Sequence, residues 1–348
     1  MNRYGSRRDP ATLPERLTAD TFGELMITTF IHSGDQARVD EIAVEEISDE
    51  LLKPGNVIWV DVVDPTEADF RTIQEEFKFH PLAIEDAQRR HQRAKVDSYD
   101  GYCFIAFYCL NDDPAAGTVL ATQVSIFSGH GYLVTIHDHE LQLLDDLRRR
   151  LGHEDILLTS KTAGFFLYLV LDEIVNDYFP IIDRLSDRIE SIEEQIFGNF
   201  NASSQKEIFR MKKDVLAVRR VMSPERDVMM ILVRRENSLF DAATILYFQD
   251  VYDHILRLTD TVDTYRDLLS SVLDASLSVM SNRMNQIMKT LTASSIILMS
   301  MTLVASVYGM NFDRMPELHW HYGYAYALGL MVVIGVSVAV AFRRIDWL

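Results

Sequence analysis

TLTASSIILMSMTLVASVYGMNF, residues Thr290–Phe312, is a stretch near the C-terminus that contains no charged residue. After a short loop, Tyr322–Phe342 is a second stretch without a charge. About 20 apolar residues in a helix cross the hydrocarbon core of a bilayer, and each stretch approaches or exceeds that length. A buried helical hairpin is the alternative, but two uncharged stretches at the end of a chain are difficult to bury in a soluble domain. The pair therefore predicts two transmembrane helices.

The charges that flank the two stretches predict their orientation. Arg283 and Lys289 precede the first stretch, and Arg343 and Arg344 follow the second. The connecting loop, residues 313–321, carries two acids and one arginine. Because positively charged flanks remain on the inner side, we expect an external loop at 313–321, a second transmembrane helix at 322–342 and a cytoplasmic tail at 343–348. The protein is predicted to be a multi-pass protein of the cell (inner) membrane with both termini in the cytoplasm.

A long helix is predicted to lead into the first stretch. Glu225–Tyr308 contains neither glycine nor proline. A helix that is continuous from about residue 241 would be on the order of 100 Å long at 1.5 Å per residue, which exceeds the thickness of any bilayer. Residues 241–312 are therefore predicted to form a stalk that continues into transmembrane helix 1.

The region before this stalk, residues 156–240, is predicted to be a cytoplasmic helical hairpin. Apolar residues recur every three or four positions through Phe165–Phe197, and Gly198-Asn199 is a helix stop. A second helix is predicted from about Ser204, with Pro224 as its only irregularity.

The N-terminal part, residues 21–155, is predicted to be a cytoplasmic α/β domain that follows a disordered leader at residues 1–20. The stretches 25–31, 57–63, 102–109, 123–128 and 132–137 are short and rich in β-branched and aromatic residues, as strands are. Asp64-Pro65-Thr66-Glu67 is typical of a helix start, with Asp64 as the N-cap. The leader is polar and carries no apolar segment of the kind that export signals need.

The composition excludes one large class of partners. The formal net charge is −18, and phosphate binding requires clustered Lys and Arg, so no nucleic-acid partner is expected. An acidic surface attracts cations. Cys103 and Cys109 are the only cysteines, and their even spacing places them on one face of a strand as packing residues.

The first transmembrane stretch carries a polar stripe. Seven side chains recur at three- or four-residue spacing: Asn285, Met288, Thr292, Ser295, Met299, Thr302 and Ser306. A subunit with two spans cannot enclose a water-filled path alone, so conduction would require a ring of subunits that each contribute one helix. Ordinary helix–helix packing is the other explanation, since Ser and Thr are common at membrane helix interfaces. The stripe alone leaves both explanations open.

Several motifs together resemble the CorA family of Mg²⁺ and Co²⁺ channels. Tyr308-Gly309-Met310-Asn311-Phe312 closes the first span, and Met315-Pro316-Glu317-Leu318 leads into the second. Ser281–Lys289 is similar to the family's entry into the membrane, and His80–Asp86 and His91–Arg93 are similar to its cytoplasmic motifs. The resemblance implies an α+β membrane protein: an N-terminal α/β domain, a long helical stalk and two C-terminal transmembrane helices, assembled as a funnel-shaped homopentamer in the lipid bilayer.

The resemblance also implies the residues of the ion path. Gly309, Met310 and Asn311 would form the selectivity filter, where a ring of amides receives hydrated divalent cations. Below it, Asn285, Thr292, Ser295, Thr302 and Ser306 would offer oxygen ligands. Met288, Leu291 and Met299 would form narrow apolar collars, which can close a pore by dewetting.

Gating by cytosolic Mg²⁺ is a further implication. Glu85 and Asp86 of one subunit would face Asp250 of a neighbour, with Asp172 and Asp253 nearby. A bound Mg²⁺ would hold these carboxylates together and keep the pore shut, so Mg²⁺ is expected both as transported and as regulatory ion, with no organic cofactor. A solvated acidic helix face is the other explanation of these residues.

Three other functions remain as alternatives. A Zn²⁺ transporter of the same superfamily is the first, and a non-conducting membrane receptor or scaffold is the second. An enzyme is the third, because His137-Asp138-His139-Glu140 could suggest a metal site. Nothing in the sequence supplies a nucleophile or a spaced third ligand, so we expect surface histidines there and no enzymatic activity.

Overall fold

The computed structural model describes residues 26–33, 36–40, 47, 51, 53, 55–89, 92–113, 118–152, 162–197, 202–234, 239–311, 315–345 and 347. The predicted leader, the Gly198-Asn199 helix stop, and Asp313 and Arg314 of the predicted external loop lie outside these residues. The strands are β1 (Met26–Ser33), β2 (Gln36–Asp40), β3 (Asn56–Val63), β4 (Lys95–Tyr99), β5 (Tyr102–Asp113), β6 (Thr118–Gly129) and β7 (Tyr132–His137). The helices are α1 (Glu67–Phe77), α2 (Pro81–Gln88), α3 (Gln142–Gly152), α4 (Ala163–Asn176), α5 (Tyr178–Phe197), α6 (Ala202–Val233), α7 (Ala242–Tyr308) and α8 (Gly323–Arg344), with a 3₁₀ helix at Pro316–His319.

The chain forms two compact units. The first contains Met1–Phe179 and Arg220–Leu258, and the second contains Pro180–Arg219 and Thr259–Leu348. Three helices, α5, α6 and α7, contribute segments to both units.

A seven-stranded sheet is the centre of the first unit. Its strand order is β2-β1-β3-β7-β6-β5-β4. β3 and β7 are parallel, and the other neighbouring pairs are antiparallel. The inner strands are apolar on both faces: Ile58, Trp59 and Val60 are at most 1% exposed. The sequence prediction missed β2 and β4, because both are short edge strands with alternating polar residues and no apolar run.

The start of α1 differs from the prediction. Thr66, not Asp64, is the N-cap, and it forms a capping box with Asp69, whose carboxylate accepts the Thr66 N–H at 2.7 Å. Asp64 instead has φ of 49°, in the turn between β3 and the helix. The capping-box pairing of Thr66 with Asp69 three residues later satisfies two backbone N–H groups, and a cap at Asp64 would not.

The helical pattern of Phe165–Phe197 is divided in two at Asp177, where α4 ends and α5 begins. Pro180 explains the division. It has no N–H to donate to the carbonyl of residue 176, and its ring crowds that carbonyl, so one continuous helix is disfavoured there.

α4 packs closely against the beginning of α7 within the first unit. A Cβ atom on Gly164 would lie 2.8 Å from Phe240 and 2.9 Å from Thr244. The absence of a side chain at position 164 therefore permits the close approach of α4, which carries Asp172, and α7, which carries Asp250.

His137 is buried, which contradicts the expectation of surface histidines. It is 3% exposed at the end of the inner strand β7, and its Nε2 lies 3.1 Å from Asp61 Oδ1. Arg148 lies on the other side of the Asp61 carboxylate, with its Nη1 3.1 Å from Oδ2. Burial raises the pKa of Asp61, but the His137 hydrogen bond and the charges of His137 and Arg148 outweigh burial, so the net shift is downward. His139 is exposed, so the two histidines do not share an environment.

In the second unit, ion pairs and polar contacts join α5, α6 and α7. Arg188 Nη1 contacts Asp214 Oδ2 at 3.2 Å, and Arg219 Nε contacts Asp263 Oδ1 at 2.5 Å. α7 is one helix of 67 residues. It ends at Tyr308, and α8 packs on it at Gly335, which lies next to Met301 and Ile297.

Candidate ion pathway and metal site

The way α8 packs on α7 determines which face of α7 remains open. A Cβ atom on Gly335 would lie 3.4 Å from Met301 Sδ and 3.9 Å from Ile297 Cγ2, so α8 covers the face of α7 that contains Ile297 and Met301. Ser295 and Met299 each lie two residues before one of these contacts. At 100° per residue, that places them about 200° around the helix, on the opposite side.

The predicted stripe lies on this uncovered side. Met288, Leu291 and Met299 are 54%, 60% and 71% exposed. Among the polar members, Thr292 is partly exposed, and the others, Asn285, Ser295, Thr302 and Ser306, are exposed. The stripe is therefore not explained by packing between the two spans of one chain.

Two hydroxyl groups of the stripe, those of Ser295 and Thr302, donate to their own helix. Ser295 Oγ donates to the Leu291 carbonyl, and Thr302 Oγ1 donates to the Leu298 carbonyl, each at 2.8 Å. Since each hydroxyl proton has a partner, the oxygen lone pairs are the groups that remain for a ligand. Such oxygens can accept hydrogen bonds from water around a cation.

The Gly309-Met310-Asn311 motif directly follows the helix. Gly309 N–H donates to the Ala305 carbonyl at 3.0 Å. A Cβ atom at Gly309 would lie 3.3 Å from that carbonyl oxygen, which is closer than most side chains tolerate. Met310 is 48% exposed, and Asn311 is also exposed. The motif is thus placed at one end of the uncovered stripe.

Of the predicted metal ligands, the structure brings Asp172 and Asp250 together. Asp172 comes from α4 and Asp250 from α7, and one ligand atom from each lies within 4.8 Å of the other and of a nitrogen of His254. The pKa of Asp172 is raised, chiefly by burial; the nearby His254 opposes this shift and the Asp250 charge adds to it. Asp253 is exposed and does not belong to this cluster.

His254 was not predicted as part of the site. Its signal was the spacing of one helical turn from Asp250, which places both side chains on one face of α7. His254 Nδ1 is buried and has no hydrogen-bond partner among the described residues. Two carboxylates suit Mg²⁺, and an imidazole suits Co²⁺ and other transition metals, so the chemistry of the cluster fits a divalent cation.

Glu85 and Asp86 do not join this cluster within the described part of one chain. Glu85 is paired with Arg89 at 2.5 Å on the exposed side of α2. Asp86 Oδ2 lies 2.6 Å from Lys95 Nζ, and Gln92 Nε2 donates to Oδ1 at 3.0 Å. Burial raises the pKa of Asp86, but the contacts with Lys95 and Gln92 outweigh burial and lower it overall.

In the part of the chain that the structure describes, two helices are long and apolar enough to cross a membrane, α7 and α8. In the most apolar segment of each helix, only 6% of the residues of α7 and 11% of those of α8 are buried within the protein, whereas core helices of a soluble domain are mostly buried. The fold and the open polar stripe define a class: a membrane protein with two C-terminal spans, a long stalk helix and an acidic α/β domain.

Comparison with known proteins identifies the family. A family model described as CorA-like Mg²⁺ transporter protein matches residues 54–344. YfjQ of Bacillus subtilis (strain 168) is 39% identical over 263 residues, which are 75% of this chain and 81% of that protein. The cobalt/magnesium transport protein CorA of Thermotoga maritima is 33% identical over 263 residues, or 75% of each chain. The solved structure of the CorA magnesium transporter from Methanocaldococcus jannaschii has a TM-score of 0.80 at 23% identity, covering 94% of this chain and 100% of that one.

The chain belongs to the CorA-like Mg²⁺ transporter family. It is therefore a membrane protein that transports divalent metal ions, and the expectation that it is not an enzyme is confirmed. The expected fold class is also confirmed: an N-terminal α/β domain, a long helix and a C-terminal apolar helix.

Proposed function

We propose that five copies of this chain form a funnel-shaped channel that takes up Mg²⁺ and Co²⁺ across the cell (inner) membrane, with both termini in the cytoplasm. The uncovered face of α7 carries this proposal. α8 contacts the Ile297 and Met301 side, so the opposite side, with its hydroxyls and exposed methionines, is free to surround a water-filled path. Identical subunits in a ring would place that face toward a common axis.

The proposed filter consists of Gly309, Met310 and Asn311. Mg²⁺ keeps its waters tightly and demands octahedral geometry, so a filter that binds the hydrated ion avoids the slow removal of water. A ring of neutral Asn311 amides would accept hydrogen bonds from those waters without holding the ion as strongly as carboxylates would. Gly309 supports this role because a larger residue would crowd the Ala305 carbonyl just before the filter.

Below the filter, the path would alternate between hydroxyl rings and apolar collars. Thr302, Ser295 and Asn285, together with Ser306 and Thr292, would offer weak oxygen ligands. Met299, Leu291 and Met288 would provide constrictions that empty of water when the ring narrows. An inside-negative membrane potential would contribute about 4.6 kcal/mol per 100 mV to the entry of a divalent ion.

Regulation would depend on the acidic cluster. We assign the regulatory Mg²⁺ to Asp172 and Asp250, with His254 beside them, and to Glu85 and Asp86 of the adjacent subunit; Asp253 would lie at the edge. Without the cation, carboxylates of adjacent subunits repel one another. Loss of internal Mg²⁺ would then loosen the ring and favour the open pore by a shift of population.

The test is uptake into liposomes that contain an internal Mg²⁺ dye. Asn311→Ala is expected to lower the rate of Mg²⁺ uptake at least tenfold. A tenfold decrease corresponds to about 1.4 kcal/mol of lost stabilisation of the ion in the filter. Ser294→Ala is the matched control, because Ser294 is exposed on α7 but outside the stripe. Equal Mg²⁺ uptake by Asn311→Ala and wild type would remove the proposed filter. Uptake of Zn²⁺ without Mg²⁺ would favour the Zn²⁺ transporter instead.

A further inference from the structure

The Lys95 ammonium forms an ion pair with Asp86, one of the proposed metal ligands. Its Nζ lies 2.6 Å from Asp86 Oδ2 and 2.8 Å from Asp97 Oδ2. The other oxygen of Asp86 accepts a hydrogen bond from Gln92 at 3.0 Å. Both oxygens of Asp86 are therefore engaged within its own chain.

The fold holds Lys95 at this position. It begins the edge strand β4, where it lies opposite Ala106 of β5, and Asp97 follows two residues later on the same face. The Lys95 ammonium also lies 5.7 Å from the centroid of the Phe104 ring, at a distance suitable for a cation–π contact. The lysine side chain is 33% exposed and that of Asp86 is 20% exposed, so the pair is only partly screened by water.

The Lys95 ammonium repels any divalent cation that approaches Asp86 Oδ2, because the ammonium lies 2.6 Å from that oxygen. A metal ion at Asp86 therefore has either to overcome this repulsion or to displace Lys95. Both lower the affinity of the metal.

We propose that Lys95 is an intramolecular competitor for the regulatory cation, and that it raises the Mg²⁺ concentration at which Asp86 becomes a metal ligand. This inference rests on the proposed function, because it takes Asp86 to be a ligand of the regulatory site. In the absence of Mg²⁺ the ammonium neutralises Asp86, and on binding it is exchanged for the metal. Lys95 thereby sets the threshold of the sensor without contacting the transported ion.

The experiment measures the Mg²⁺ concentration that gives half-maximal protection of the full-length, detergent-solubilised protein against limited proteolysis. Lys95→Gln is expected to lower this midpoint about two- to fivefold, the range that partly exposed ion pairs provide. Lys95→Arg retains the charge and should keep the midpoint near that of wild type. Lys213→Gln, which removes an exposed lysine of α6, controls for net charge and should leave the midpoint unchanged.

Asp86→Asn separates this inference from the proposed function. If Asp86→Asn does not alter the midpoint, Asp86 is not a ligand and the proposed sensor fails. If Asp86→Asn raises the midpoint while Lys95→Gln matches wild type, the sensor stands and the competitor role of Lys95 is overturned. In the double variant the effect of Lys95→Gln should disappear; a shift that persists without Asp86 also overturns the proposal. Tryptophan fluorescence verifies that each variant is folded, and Lys95→Met replaces Lys95→Gln if it is not.

Discussion

Glu225→Gln is expected to stabilise the first unit increasingly as the pH rises, because burial raises the pKa of the Glu225 carboxyl. Glu225 is fully buried, and one carboxyl oxygen accepts the Tyr108 N–H at 2.9 Å. The Tyr178 oxygen lies 3.1 and 3.0 Å from the two carboxyl oxygens and also contacts the Tyr108 carbonyl. The Tyr178 hydroxyl is the donor in all three contacts, so its one proton is shared between the Tyr108 carbonyl and the Glu225 carboxyl. No charged partner offsets the burial of this carboxyl in these contacts.

The sign and size of the effect follow from linkage. Burial raises the pKa of Glu225 well above its usual value of 4.5. A group with a raised pKa contributes stability that is fully present below the unfolded value and is lost as the pH rises through the folded value. Each pH unit above about 4.5 therefore costs wild type about 1.4 kcal/mol for as long as the carboxyl stays protonated. Glutamine donates and accepts in the same positions and does not titrate, so it avoids this loss.

The assay is thermal unfolding of the full-length protein at pH 5 to 8, followed by the fluorescence of Trp59, which is buried in the sheet. The Tm of Glu225→Gln should rise relative to wild type by roughly 3–6 °C per pH unit. Glu225→Ala should lose about 3 kcal/mol even at pH 5, since it leaves the Tyr108 N–H without its acceptor and opens a cavity. Glu194→Gln, at an exposed position of α5, should melt in parallel with wild type. A Glu225→Gln protein that unfolds far below wild type at every pH would refute a protonated Glu225 carboxyl and indicate an ionised carboxylate.

Three further predictions concern other parts of the chain. Asp250→Lys should abolish the protection that Mg²⁺ gives against proteolysis, because an ammonium replaces a ligand; unchanged protection would remove Asp250 from the sensor. Gly335→Leu should destabilise the C-terminal hairpin by about 1–3 kcal/mol through overpacking, measured as a lower Tm and a smaller folded fraction in size-exclusion chromatography. Gly329→Leu is its control, since a Cβ there meets nothing within 4 Å, and equal losses in both would contradict the described packing. The third prediction concerns His137, whose pKa is lowered by burial but raised overall by its contacts with Asp61. A raised pKa means that stability is lost as the pH rises above 6.5, so the Tm of Glu225→Gln should fall in that range. Adding His137→Gln to the same variant should flatten this dependence of Tm on pH.

Much of the architecture could be predicted from the sequence because its signals are local. The uncharged stretches, the absence of glycine and proline through the stalk, and the apolar runs of β3, β5 and β7 each indicate an element without reference to its neighbours. The edge strands β2 and β4 were missed because pairing with β1 and β5, not local composition, makes them strands. The cap at Thr66 was assigned to Asp64 because both residues are good N-caps, and only the backbone conformation distinguishes them.

The candidate site likewise combines features that the local sequence indicates with features that depend on contacts between distant residues. The polar stripe was visible as a periodicity, but packing between helices explained it equally well. The contact of Gly335 with Met301 favours the pathway, because it shows which side of α7 the second span covers. For the acidic residues, the sequence could name Asp172 and Asp250 only through a resemblance. His254 was missed because its position beside Asp172 depends on α4 approaching α7, and the two helices are far apart in sequence.

The sequence by itself determined where the chain is apolar enough to enter a membrane, where it must be helical, and that its exterior is acidic. These properties are sums over neighbouring residues, so they require no knowledge of the fold. Only the tertiary structure decided which side of α7 is covered by α8. It also decided that His137 and Glu225 are buried with specific partners and that Lys95 forms an ion pair with Asp86. Those are contacts between residues far apart in sequence, and their energies exist only after the backbone has brought the groups within hydrogen-bond distance.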